Sequence, residues 1–208
     1  MGGMNSGGRS VADQLEIFQQ ADGGSIPTSP LHIQKIGHDH AKRFVEKWHY
    51  SKRMPTGKNI CYGLMLDDCL YAVIVYGIGV NPYQARFLDC EKVMEIKRLC
   101  RTEPRKKYQL SRFISITAKW AKKEMHYDKL VAFADPEHGH EGIIYKASGF
   151  EKVGTTNPEY HLIDVDGNVR HRRYAFRCAR RNGVSVAEAR DMLGVDRVKT
   201  LPKNRWCR

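Results

Sequence analysis

Three stretches of the chain concentrate side chains able to do chemistry. One is Trp48-His49-Tyr50-Ser51. Another is Glu95-Ile96-Lys97-Arg98-Leu99, which runs into a basic linker at 101–107 and then Ser111-Arg112. The third runs from Phe133 to Gly142 through Asp135, Glu137, His138, His140 and Glu141, with Tyr145 just beyond. An apolar strand that ends in Asp-Pro and gives way to a loop dense in His and Glu puts polar groups at a strand's carboxyl end. That is where α/β proteins carry function. Asp135 from the strand end and Tyr145 from the following helix can aim at one pocket. Gly139, between His138 and His140, lets the loop bend. Imidazole with carboxylate suits zinc or iron, and two His with one carboxylate suit non-haem Fe(II). The spacing matches no HExxH-type motif, so on spacing alone solvated loop histidines are the first reading. His49 and Tyr50 at a helix end also read as packing, with the imidazole favoured by the helix C-terminus. Arg98 in an apolar strand end needs an anion nearby, and Glu95 and Glu91 are its nearest carboxylates in sequence.

Periodicity supplies the elements that must hold these groups. A short strand at 31–36 precedes a helix at 38–50 with Phe44, Val45 and Trp48 on one face. Apolar runs at 60–66 and 70–76 flank Asp67-Asp68, a hairpin pattern. A strand is expected at 93–99. The clearest helix is 110–125, with Phe113, Ile114, Thr117, Trp120 and Ala121 in one stripe and Ser111 at its start. A strand at 129–134, a helix at 142–148 ended by Gly149, and a strand at 150–154 follow. Segments 160–165 and 169–176 flank Asp166-Gly167-Asn168, a second hairpin pattern. This order predicts an α/β or α+β domain, helices covering a mostly antiparallel mixed sheet. Residues 1–30 are rich in small polar types and read as a flexible segment with a short helix near 11–20. The catalytic domain is expected at 31–178, with a basic C-terminal tail at 179–208 carrying one helix at 186–193.

The 208-residue chain carries 35 Lys and Arg against 23 acids, a formal charge of +12. Such a surface draws polyanions, and each DNA phosphate neutralised releases counterions. No apolar run is long enough to span a membrane. The first ten residues lack the apolar core of a secretory signal, so a cytoplasmic location is expected. Six cysteines show no CxxC spacing and read as reduced thiols.

The three stretches resemble a known family. HYSKRMPTGK from His49, EIKRL at 95–99, LSR at 110–112 and FADPEHGHEGIIYKASGF from Phe133 occur in the order and spacing of the phage Mom family of DNA-modification proteins. They cover roughly residues 48–154. That family is similar to GNAT acyltransferases, whose curved mixed sheet admits acyl-CoA where two strands splay. The resemblance implies conversion of adenine to its carbamoylmethyl form at the exocyclic amine, which shields phage DNA from restriction inside the bacterial host. It implies roles for His49, Tyr50, Arg98, Ser111, Asp135, His140 and Tyr145. His49, Asp135 and Tyr145 would be an iron set; Arg98, Ser111 and Arg112 would hold acetyl-CoA. The stretch RTEPRKKYQLS departs from the GNAT pattern by having no phosphate-binding glycine. Phosphates would instead meet Ser111, Arg112 and the helix N-terminus.

The implied partners are double-stranded DNA with its adenine flipped out and acyl-CoA, with no membrane; monomer and dimer are both open. Residues 52–58 and the tail at 197–208 are expected to touch the DNA backbone. Two other readings stand beside this one: an ordinary GNAT enzyme acetylating a small amine or protein, and a basic DNA-binding protein without catalysis.

Overall fold

The structure, a computed structural model, describes residues 32–66, 69–79, 83–102 and 110–208. The expected N-terminal segment with its helix, the Asp67-Asp68 turn and most of the 101–107 linker lie outside these residues. Among the described residues, ten strands and six α-helices alternate. They are β1 (His32–Ile36), α1 (His38–Trp48), β2 (Asn59–Leu66), β3 (Cys69–Ile78), α2 (Tyr83–Phe87), β4 (Val93–Arg101) and α3 (Leu110–Met125). After these come β5 (Lys129–Ala134), α4 (Ile143–Ala147), β6 (Glu151–Thr155), β7 (Tyr160–Asp164), β8 (Val169–His171), α5 (Arg173–Asn182), α6 (Val186–Leu193), β9 (Val195–Lys199) and β10 (Asn204–Cys207).

Seven strands form the main sheet in the order β1-β2-β3-β4-β5-β10-β6. Every pairing is antiparallel except β4 with β5. The mixed, mostly antiparallel sheet expected from the sequence is therefore present. Both faces are covered. Ala41, Phe44 and Val45 of α1 pack on Cys61, Val73 and Val75, while Phe113, Ile114, Ala118 and Ala121 of α3 pack on Tyr62, Leu64, Ile74 and Tyr76. The alternate sides of β2 and β3 thus serve different helices, which is why these strands read as unbroken apolar runs. Tyr76, fully buried, satisfies its hydroxyl on Thr117 Oγ1 at 2.8 Å.

Two irregularities shape the site. The β3–β4 register jumps from Val75↔Arg98 to Tyr76↔Ile96, so Lys97 is an extra residue on β4. Successive side chains on a strand normally point to opposite faces. Here the bulge lets both neighbours reach one loop: Lys97 Nζ donates to the Thr56 carbonyl and Arg98 Nε to the Arg53 carbonyl. The parallel β4–β5 ladder also stops at Ile96↔Ala132, although β4 runs on to Arg101. The other edge of β5 pairs with β10 from Val131 to Ala134, and among the described residues the part of β4 beyond Ile96 has no ladder partner on its β5 side.

Two expectations for the C-terminal third change. The strand expected through 176 ends at His171, and residues 173–182 are helical. Tyr174 and Phe176 alternate with polar residues and mimic a strand, but Ala175 and Ala179, four apart, form the buried face. The stretch expected as a tail also departs from expectation. Its Trp206 and Cys207 are buried, and β10 inserts between β5 and β6. A four-residue strand with Arg205 in its middle carries too little alternation to be read from sequence.

Candidate active site

Of the expected site residues, His49, Tyr50, Asp135 and His140 lie around the end of β5. Helix α1 ends at His49, which leaves the helical conformation while its N–H still caps Val45. That exit throws Tyr50 outward. Rings then stack in sequence: His49 on Tyr50 with centroids 4.3 Å apart, Tyr50 on His138 at 3.9 Å, and His140 at 6.0 Å from Tyr50. His49 is buried, whereas Tyr50 keeps 45% of its surface and both loop histidines are exposed.

The loop carrying the histidines is tied down by Asp135. Its carbonyl accepts from the N–H groups of His138 and His140, each at 3.1 Å, and its Oδ1 accepts from Glu137 N–H at 3.3 Å. Asp135 is buried, and its Oδ2 lies 2.7 Å from Lys203 Nζ. Burial works against the Lys203 charge, but its bond to Asp135 wins and raises its pKa. Lys203 sits just before β10. It was absorbed into the expected tail, and nothing in its local sequence marks it as a site residue.

Charge in the cleft is mostly positive. The pKa of His49 falls to about 3, first from burial, then from Arg98, His140, His138 and Lys52. His140 is also lowered, by the atoms packed around it and by His138. Burial raises Tyr50 and, more strongly, Tyr145; both hydroxyls stay protonated. Tyr145 also feels Tyr50 and Glu95, and its ring packs on Phe150. Glu95 itself is raised, burial outweighing Lys97, Arg98 and Lys203. It is a second residue whose role sequence reading missed, since it had been treated only as a surface partner for Arg98. Arg98 instead gives its Nε and one terminal nitrogen to the carbonyls of Arg53 and Lys97.

Ser111 and Arg112 stand apart, on the first turn of α3. The Ser111 carbonyl accepts from Ser148 Oγ, at the end of α4, and Arg112 is exposed. Among the described residues no contact joins them to the ring stack.

The same geometry gives the iron set no support. His49 Nδ1 accepts from Ser51 N–H at 3.0 Å, so the neutral ring carries its proton on Nε2 and offers no lone pair there. Asp135 is ion-paired, and the Tyr145 phenolate is disfavoured. Among the described residues no group of three or more His, Cys, Asp or Glu is placed to hold a metal ion. N–H donors and cations around a small cleft fit an oxyanion better than a divalent metal.

The His49 shift makes a stability prediction. Folded His49 stays neutral down to about pH 3, while the unfolded side chain protonates near its ordinary value of about 6.5. The unfolded state therefore binds the extra proton between these limits, and stability rises with pH across that window and levels above it. Lowering the pH from 7 to 5 removes on the order of 2 kcal/mol through this group. Denaturant titrations at both pH values check it, with His49→Gln expected to flatten the dependence; an unchanged slope in that variant contradicts it.

A model of the Mom protein family matches residues 30–206. The methylcarbamoylase Mom of Escherichia phage Mu is 25% identical over 139 residues, covering 64% of this chain and 58% of that protein. The chain thus matches less than two thirds of that relative's length. Similar solved structures include an aminoglycoside acetyltransferase in complex with coenzyme A and kanamycin, at 13% identity and a TM-score of 0.45 over 67% of this chain and 91% of that one. An N-acetyltransferase from Staphylococcus aureus Mu50 gives 13% identity and a TM-score of 0.46 over 86% and 97%. Among the described residues, no helix is long and apolar enough to cross a membrane.

Proposed function

The chain belongs to the Mom protein family, and from that membership we propose that it modifies adenine in DNA at the exocyclic amine, leaving the carbamoylmethyl group and shielding phage DNA from restriction in the host cytoplasm. The observation that carries the reading is the meeting of an exposed ring stack with a cationic, donor-lined cleft at one strand end.

Each part has a task. The target amine lies inside the duplex, so the base must leave the stack at a cost of a few kcal/mol. The open outer ring of His138, backed by Tyr50 and His49, receives it. Asp135 and Lys203 hold the 135–140 loop around it. The unpaired edge of β4, with Ser111 and Arg112 at the start of α3, holds acyl-CoA, which when bound supplies an activated acyl group. The Nε2–H of His49, with Arg98 and Lys203, would hold the acyl carbonyl oxygen. Joining the acyl methyl carbon to the amine, with loss of one proton from each, further requires a two-electron oxidant. Completing the amide requires a nitrogen donor that displaces the thiol. Both are supplied from outside the chain. Glu95, its pKa raised toward working pH, takes the proton that the amine loses.

The test is the mass of deoxyadenosines from plasmid DNA recovered from cells making the protein. A carbamoylmethyl-deoxyadenosine is expected. Asp135→Asn, which leaves Lys203 without its counter-charge, lowers its yield by about 10- to 100-fold, the loss of roughly 1.4–3 kcal/mol of positioning. Unmodified DNA, with an acetylated small amine in its place, overturns the reading.

A further inference from the structure

The segment between β6 and β10 builds a second sheet, β8-β7-β9, with α5 and α6 packed on it through Leu162, Ala175 and Val195. It is anchored to the cleft where it returns. Leu201 N–H donates to Glu137 Oε1 at 2.7 Å, and Lys203 reaches Asp135. Whatever this small unit grips is thereby held against the 135–140 loop.

Its charge is lopsided. Residues 167–187 contain six arginines and no carboxylate. Arg170 and Arg172 are taken by Asp164 and Glu159. The other four, Arg173, Arg177, Arg180 and Arg181, are exposed, and among the described residues none is ion-paired. At about 100° per residue they fall within roughly 100° of arc, opposite the buried Ala175 and Ala179. Arg173 to Arg180 spans about 10 Å of helix, close to the rise of three base pairs along the DNA axis. Tyr174 and Phe176, both exposed, border the stripe on its two sides. Four of the five cations expected to touch DNA in the tail are differently engaged. Arg197 lies over the Tyr160 ring, Arg205 over Phe87, Arg208 donates to Ser148 and Lys203 to Asp135.

We propose that the α5 arginine stripe is the DNA-docking surface, gripping the phosphates of double-stranded DNA while the adjoining cleft receives the base. The proposal rests on the DNA-modifying reading above. Phosphate contacts of this kind set register without reading sequence.

Anisotropy of a labelled 30-base-pair duplex, titrated at several salt concentrations, tests it. Wild-type protein is compared with Arg173→Gln/Arg177→Gln/Arg180→Gln and with a control of equal charge change, Lys42→Gln/Lys119→Gln/Lys123→Gln, after circular dichroism shows all three folded. The α5 variant is expected to bind at least 10-fold more weakly and to lower the salt slope by about 2.7, since each lost phosphate contact removes about 0.9. The control keeps the wild-type slope. An unchanged α5 variant, an equal loss in the control, or preference for anionic vesicles or single-stranded RNA overturns the docking surface. Wild-type protein that neither binds nor modifies duplex DNA fails the functional reading instead, so the two failures are separable.

Discussion

Glu95→Gln should lower the rate of adenine modification by about 10²- to 10⁴-fold while leaving the fold intact, the range expected when a positioned proton acceptor is removed. The side chain sits on β4 just before the bulge, at the point where β4 and β5 part. Glutamine keeps its size and hydrogen-bonding oxygen but cannot take a proton. The pH profile separates this role from a structural one. Burial raises Glu95, and Lys97, Arg98 and Lys203 only partly offset it. A carboxylate acting as base works ionised, so activity rises with pH through a point above the ordinary glutamate value. That acid limb disappears in Glu95→Gln. A variant that keeps both the rate and the limb assigns the proton to another group.

Gly142→Ala should destabilise the C-terminal half of the site. Gly142 precedes α4 with φ +92°, a region in which a Cβ costs roughly 1–2 kcal/mol. The added methyl would also lie 2.1 Å from Trp206 Nε1 and 2.4 Å from its Cε2. Trp206 is a buried ring on β10 with no room to retreat, so overpacking adds about 1–3 kcal/mol. The total, on the order of 3 kcal/mol, corresponds to a drop in Tm of about 10 °C for a chain of this length. Thermal unfolding followed by circular dichroism reads it. A shift of less than about 3 °C would falsify the account of how β10 is seated against α4. Trp206 Nε1 is buried without a hydrogen-bond partner among the described residues. Shape, rather than a polar contact, therefore holds the ring there.

Much of this was legible in the sequence because the signals were local. The 3.6-residue stripe from Phe113 to Ala121 gave α3 its bounds, and the runs around Asp67-Asp68 gave a hairpin from Asn59–Leu66 to Cys69–Ile78. His49, Tyr50, Asp135 and His140 could be singled out because each lies in a short polar cluster beside an apolar element. Lys203 and the site role of Glu95 were not legible. Lys203 reaches Asp135 from 68 positions away only because β10 inserts beside β5, a long-range pairing that four residues cannot announce. Glu95 draws its character from burial at a bulge, and the bulge is visible only in the register of two strands. The iron set came from the family resemblance, and the geometry gives it no support. The tautomer fixed by Ser51 and the charge held by Lys203, which work against it, are properties of the fold.

Replacing the target adenine of a modified duplex with 2-aminopurine reads the central step directly, because that base fluoresces when it leaves the stack. Adding the protein is expected to raise the signal several-fold, and Tyr50→Ala, which takes the middle ring from the stack, to abolish the rise. A duplex that the protein binds tightly with its 2-aminopurine still quenched would contradict the claim that an extruded base enters this cleft.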